Sequence, residues 1–150
     1  MNLFISSDHA GFKLKQRLIA YLEDNAVKVM DKGPFEFNEH DDYPDWIAEV
    51  AREVSADPEN ARGIVIGLSG QGEAMAANKF KNVRAGVYYG GPEEIVTLLR
   101  QHNNCNVLSL GAKFVTPEQA EKIVDLWIDT QFSGEERHQR RIDKMLKLEH

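Results

Sequence analysis

No disulfide can form within this chain, because Cys105 is its only cysteine. The fold must rest on a packed core, and the composition fits a reducing compartment. Long apolar runs are missing too. None approaches the roughly 20 residues of a membrane-spanning helix, and the N-terminus enters a strand pattern without a signal-peptide layout. The cytoplasm is the expected location, with no membrane partner. Positive charge is in deficit: 18 Lys and Arg stand against 24 Asp and Glu, a net charge of −6. General nucleic-acid affinity is therefore not expected. Metal-binding spacings are absent, with no C-x-x-C and no H-E-x-x-H. The five histidines lie far apart in sequence, so a metal is not expected.

What is present is an alternation of strand-like and helix-like segments over 150 residues, the length of one domain. Short apolar runs at Leu3–Ser6, Val27–Met30, Gly63–Leu68, Val83–Tyr88 and Val107–Leu110 read as five strands. Between them, Leu14, Leu18 and Leu22 repeat at helical spacing, and Pro44 to Ser55 reads as a helix with Pro44 in its first turn. Glu73–Phe80 belongs to a third helix, and Gly90-Gly-Pro92 opens a fourth that runs towards His102. Thr116-Pro-Glu-Gln119 and Ser133-Gly-Glu-Glu136 both have the form of a capping box, each starting a further helix. Five β–α units without repeats predict a three-layer α/β/α sandwich, Rossmann-like, on a five-stranded parallel sheet. Residues 1–147 form the expected domain. Leu148-Glu-His150 has the look of a vector-encoded tag remnant.

Ligands in such sheets sit beyond the carboxyl ends of the strands. Asp8 and His9 follow the first strand, the glycine-rich Gly67-Leu-Ser-Gly-Gln-Gly72 the third, and Lys113 the fifth. Most of the polar residues of interest are expected on one edge, which points to a single site. The glycine spacing is neither a dinucleotide fingerprint nor a Walker loop. It can aim amides at an anion, or it can be a bare strand-to-helix turn. Glu73, at the following helix start, is either a base or a dipole-stabilising carboxylate. Ser69 is either a cap or a substrate contact. His102-Asn-Asn104 sits at a helix end, where Asn also serves as a left-handed cap. Arg137 and Arg141 share one helix face, as a solvated basic surface or as a clamp on phosphate. Cys105 reads as a packing residue.

Taken together, Ser-Asp-His-Ala-Gly-Phe12, Asp42-Tyr-Pro44, Gly-x-Gly-Glu-x-x-Ala-Ala-Asn-Lys79, His102-Asn-Asn104 and Arg137-His-Gln-Arg-Arg141 resemble the ribose/galactose isomerase family, in its type B ribose-5-phosphate isomerase branch. The resemblance runs from Leu3 to about Ile142. It implies an aldose–ketose isomerase that acts on ribose 5-phosphate through a cis-enediolate, without metal or cofactor. By position, His102 would assist ring opening with Ser69 nearby. Asp8 and Asn103 would hold sugar hydroxyls, and Tyr43 would line the pocket. Amides of the Gly70–Glu73 turn, Gly72 included, would stabilise the enediolate. Arg137, Arg141 and His9 would grip the phosphate, with Lys113 standing where some members have a third arginine. One branch of the family uses a cysteine just after the third strand, where this chain has Gly67; the other uses a turn glutamate, matched by Glu73. Homodimers or homotetramers with sites shared between subunits are implied. Leu68 stands where the family usually has glycine, so a turn needing positive φ there would have to rearrange. Two other readings stay open: isomerisation of a six-carbon sugar phosphate such as allose or galactose 6-phosphate, and a non-catalytic sugar-phosphate binding module.

Overall fold

The computed structural model describes all residues 1–150. Eleven elements follow in chain order: β1 (Asn2–Ser7), α1 (Phe12–Asp24), β2 (Val29–Asp31), α2 (Tyr43–Ala56), β3 (Ala61–Gly67), α3 (Gln71–Ala77), β4 (Ala85–Tyr88), α4 (Glu94–Asn103), β5 (Val107–Gly111), α5 (Pro117–Asp129) and α6 (Glu136–Leu146). All five strands are parallel, in the order β2-β1-β3-β5-β4. No helix is long and apolar enough to cross a membrane.

The central strands β1, β3 and β5 are buried on both faces, which is why they read as apolar runs rather than as alternating ones. Leu3, Ile5, Ile64, Ile66, Leu108 and Leu110 face one layer, where α1 contributes Leu14, Leu18 and Leu22 and α5 contributes Ile123, Val124 and Trp127. Phe4, Val65 and Val107 face the other layer, against Ile47, Val50, Ala51 and Val54 of α2 and Ala77 of α3. The helices after β1 and β3 therefore cover opposite faces of two neighbouring strands. That arrangement opens a crevice at the carboxyl ends of β1 and β3.

The two capping-box sequences behave differently. Thr116 Oγ1 accepts from the Gln119 amide at 3.1 Å and Gln119 Oε1 from the Thr116 amide at 2.9 Å, so the box ahead of α5 is complete. The expected box at Ser133 does not form. Helix α6 starts two residues later than that pattern requires, at Glu136, and Ser133 Oγ instead accepts from the Glu135 amide at 3.3 Å. The intervening Gly134, at φ +72°, bends the chain out of the box geometry. Thr116→Ala should accordingly cost about 1 kcal/mol of unfolding free energy, while Ser133→Ala leaves the urea midpoint unchanged. Equal losses in the two variants would contradict the difference in capping.

Candidate active site

Two groups of polar residues emerge, at opposite edges of the sheet. The first sits in the crevice between β1 and β3. Asp8 is buried, and its Oδ1 accepts from the Gly11 amide at 3.1 Å in a local turn. His9 follows, with ring Nδ1 2.6 Å from Asp41 Oδ1. The 32–42 loop that carries Asp41 is tied down from below by Lys15. That ammonium, fully buried on α1, donates to Asp31 Oδ1 at 2.7 Å and to the Pro34 carbonyl at 2.6 Å. Tyr43 opens α2 beside the glycine turn: a Cβ at Gly72 would lie 2.7 Å from the Tyr43 ring.

The turn itself needs glycine at two points for different reasons. Gly70 has φ +80°, in the left-handed region. Gly67 makes room, because a Cβ there would lie 1.8 Å from Glu73 Oε1. The Glu73 carboxylate thus fills the volume that a side chain at position 67 would need. A cysteine at 67 and a glutamate at 73 in this pose exclude one another sterically. Ser109 of β5, which nothing in the sequence pattern marks out, fixes the turn by donating to the Gly70 carbonyl at 2.6 Å. Ser69 does not cap α3: Gly70 holds the cap position, and the nearest contact is Gln71 N–H to Ser69 Oγ at 3.4 Å. Lys113 is placed beside the turn, its amide donating to the Leu68 carbonyl at 3.0 Å and its side chain exposed over Phe114.

The backbone condition for a rearrangement at Leu68 is not met. Leu68 has no positive φ, and its side chain points out to solvent, so the backbone turn accepts leucine.

Burial dominates the electrostatics of this cluster. Glu73 is 4% exposed, and burial pushes its carboxyl above the ordinary glutamate range; nearby Asp8 adds to this, while the amides of Glu73 and Gly70 pull the other way. Asp8 is raised for the same leading reason. His9 is also raised, chiefly by its bond to Asp41. Asp8, His9 and Asp41 are the one trio whose metal-ligating atoms lie within 4.8 Å of one another. Asp41 Oδ1 is already taken up by His9 and Asp8 Oδ1 by the Gly11 amide.

The second group lies at the other end. Helix α4 returns from the carboxyl end of β4, so His102 and Asn103 reach the amino end of β5, where the Asn106 carbonyl accepts from the Gly63 amide. Gly67 pairs with Gly111 at the far end of the same strands. About 13 Å of β5 separates the two edges. Helix α6 joins this second group: the Ser133 amide bonds the Gln101 carbonyl at 3.2 Å, and the rings of His102 and His138 stack at 4.1 Å. His138 is buried, and burial pushes it below the ordinary imidazole range. Arg137 and Arg141 are exposed on α6, Arg137 pairing with Glu135 at 2.9 Å. Asn104 caps α4 in the left-handed conformation. A groove of about 760 Å³ also opens here, lined by Lys79, Arg84, Asn103 and Met145 among others, and not beside Glu73. Carboxylate chemistry outweighs size in choosing the reactive centre: the shifted groups lining this groove are Arg84 and the thiol of Cys105, and it has no carboxylate seated against a glycine turn as Glu73 is.

The expectation of one edge holds for most of the candidate residues but not for all. The candidate residues do not share one edge: Asp8, His9, Tyr43, Ser69, Gly70, Gly72, Glu73 and Lys113 lie at the carboxyl edge, whereas His102, Asn103, Arg137 and Arg141 lie at the amino edge. A helix after a parallel strand must run back, and the strand-end rule covers only the residues that precede such a helix. Though distant in sequence, His102 and His138 come together because α6 folds onto α4 and stacks their rings. Cys105 is buried and unpaired, as a packing residue.

The model for "Ribose/Galactose Isomerase" matches residues 3–145. Ribose-5-phosphate isomerase B of Mycolicibacterium paratuberculosis is 40% identical over 149 residues, covering 99% of this chain and 92% of that one. The crystal structure of ribose-5-phosphate isomerase B from Mycoplasma genitalium with bound ribulose-5-phosphate superposes with a TM-score of 0.93 at 43% identity, over 98% of this chain and 95% of that one. The Clostridium thermocellum ribose-5-phosphate isomerase B structure gives 0.91 at 36% identity, covering 99% and 97%.

Proposed function

The chain belongs to the ribose/galactose isomerase family, and on that premise we infer that it interconverts ribose 5-phosphate and ribulose 5-phosphate. The observation that carries the reading is the seat of Glu73: a buried carboxylate in the space left by Gly67, raised above the ordinary glutamate range and flanked by turn amides. A base with that environment suits abstraction of a proton next to a carbonyl.

The proposed steps give each residue the role that the family resemblance implies for its position. His102 assists opening of the furanose ring, with Ser69 at the turn. Asp8 and Asn103 hold sugar hydroxyls against the wall formed by Tyr43. Glu73 takes the proton from C2, and negative charge moves onto the carbonyl oxygen, where amides of the Gly70–Glu73 turn, Gly72 among them, stabilise the cis-enediolate. The proton on the O2 hydroxyl passes to O1, and Glu73 returns the C2 proton to C1, leaving O2 as the ketone oxygen. Arg137, Arg141, His9 and Lys113 hold the phosphate by charge-assisted hydrogen bonds.

The two groups cannot meet within one subunit, so the proposal includes a homodimer or homotetramer in which His102, Asn103, Arg137 and Arg141 of one subunit complete the Glu73 crevice of another. Exposed Tyr43, Leu68 and Met75 around that crevice provide apolar surface for such a contact. Cytoplasmic placement belongs to the same proposal. A direct assay decides it: purified enzyme supplied with ribose 5-phosphate should form ribulose 5-phosphate, at higher kcat/KM than any six-carbon sugar phosphate. Absence of ribulose 5-phosphate at micromolar enzyme would reject the reading, and a preference for allose 6-phosphate would move it to a six-carbon substrate.

A further inference from the structure

Asp41 lies 32 residues from His9 in sequence, yet one of its oxygens receives two hydrogen bonds from that residue. The His9 backbone amide donates to Asp41 Oδ1 at 3.0 Å, and ring Nδ1 lies 2.6 Å from the same atom. The Asp41 side chain is only 6% exposed, and its other oxygen, Oδ2, is buried with no partner. A carboxylate oxygen only accepts, so Nδ1 must carry a proton. The free ring nitrogen is therefore Nε2, on a ring that is 37% exposed.

Charge supports the same orientation. The ionisable groups facing His9 are Asp8 from the end of β1 and Asp41 and Glu39 from the 32–42 loop, and all three are acids. A buried carboxylate with one unsatisfied oxygen is costly unless a cation stands against it. His9 is the only cationic candidate in contact with Asp41. The loop is itself fixed, because Lys15 holds Asp31 and the Pro34 carbonyl beneath it and the Asp41 amide bonds the Asn38 carbonyl at 3.2 Å.

We propose that Asp41 is a positioning residue that locks His9 with Nδ1–H directed inward, so that the ring presents a cationic Nε2–H donor to the phosphate of the substrate. The role rests on the isomerase reading for the identity of the phosphate, but not for the pairing itself. Its consequence is a phosphate contact that persists to higher pH than an ordinary histidine allows, because the bond to Asp41 raises the proton affinity of the ring.

The test uses the full chain with Asp41→Asn, His9→Gln and the double variant. Nitrogen-15 NMR follows the His9 ring, assigned by its loss in His9→Gln. In Asp41→Asn the ring should titrate at lower pH than in wild type and lose its fixed Nδ1–H tautomer; Asp41→Glu, which retains the charge, should recover part of both. With ribose 5-phosphate, KM should rise about tenfold at pH 8 and less at pH 6, with kcat little changed, as expected for loss of one charge-assisted hydrogen bond. Asp41→Asn should add nothing once His9 is already glutamine. An unchanged His9 titration in Asp41→Asn overturns the proposal, as does an equal rise in KM on the His9→Gln background. Asp41→Ser repeats the titration should the asparagine variant not fold. If the wild type turns over no ribose 5-phosphate, the isomerase reading falls while the NMR titration still decides the pairing.

Discussion

Mixing two inactive variants should restore about one quarter of wild-type activity, provided that sites are shared between two subunits. The variants are Glu73→Gln, defective at the carboxyl edge, and His102→Asn, defective at the amino edge. Each homodimer carries the same lesion in both sites. After denaturation together and refolding, half of the dimers are hybrids. In each hybrid, one site pairs an intact Glu73 with an intact His102 from the other subunit, and the second site carries both lesions. The expectation follows from the direction of α4. It descends from the carboxyl end of β4 and delivers His102 to the amino end of β5, a strand length away from the Gly67–Gly111 pair beside Glu73. A site within a single subunit would give no recovery at all. Activity in the refolded mixture no greater than the sum of the two separate variants would therefore remove the shared-site arrangement.

Glu73→Gln alone should lower kcat by about a thousandfold, in the middle of the range a general base contributes. The same substitution should make the fold more stable at neutral pH. In the folded chain the Glu73 carboxyl binds its proton more tightly than in the unfolded chain, because burial disfavours the charged form. Its contribution to stability is then complete below the unfolded pKa and is lost as pH rises through the folded value. At pH 7 to 8 the ionised carboxylate is held out of water at a cost, and glutamine removes the charge while keeping the shape that fills the space beside Gly67. A gain of about 1 kcal/mol would raise Tm by roughly 2–4 °C in a chain of this length. The advantage should vanish near pH 4, where wild-type Glu73 is protonated. Turnover within tenfold of wild type would take Glu73 out of the base role. A variant less stable than wild type at pH 7.5 would contradict the electrostatic account. The acid limb of kcat/KM should lie above the ordinary glutamate range, because burial raises the Glu73 carboxyl and the neighbouring Asp8 raises it further.

Local sequence carried a good part of the architecture. Apolar runs buried on both faces, helical repeats such as Leu14, Leu18 and Leu22, and the Thr116 box each answer to interactions within a few residues, and each appears in the structure. Boundaries moved where neighbours decide them: β2 runs over Val29–Asp31, one residue past its expected end, because its register is set by pairing with Leu3–Ile5. Ser133 has the right residue types for a capping box but not the backbone, since Gly134 turns the chain first. Lys15, Asp41 and Ser109 escaped notice for one reason. Their partners, Pro34, His9 and Gly70, are 19, 32 and 39 residues away, and no periodicity records such contacts.

By itself the sequence determined the alternating parallel α/β plan, the glycine turn with its carboxylate, and the family motifs, because periodicity and motif spacing are properties of neighbouring residues. The tertiary structure alone decided that the Glu73 carboxylate fills the space above Gly67, that Leu68 is unstrained, that Asp41 reaches His9, and that the candidate residues divide between two edges of the sheet. Each of these depends on how segments distant in the chain pack against one another, and the last on the requirement that a helix joining parallel strands must run back to the opposite end.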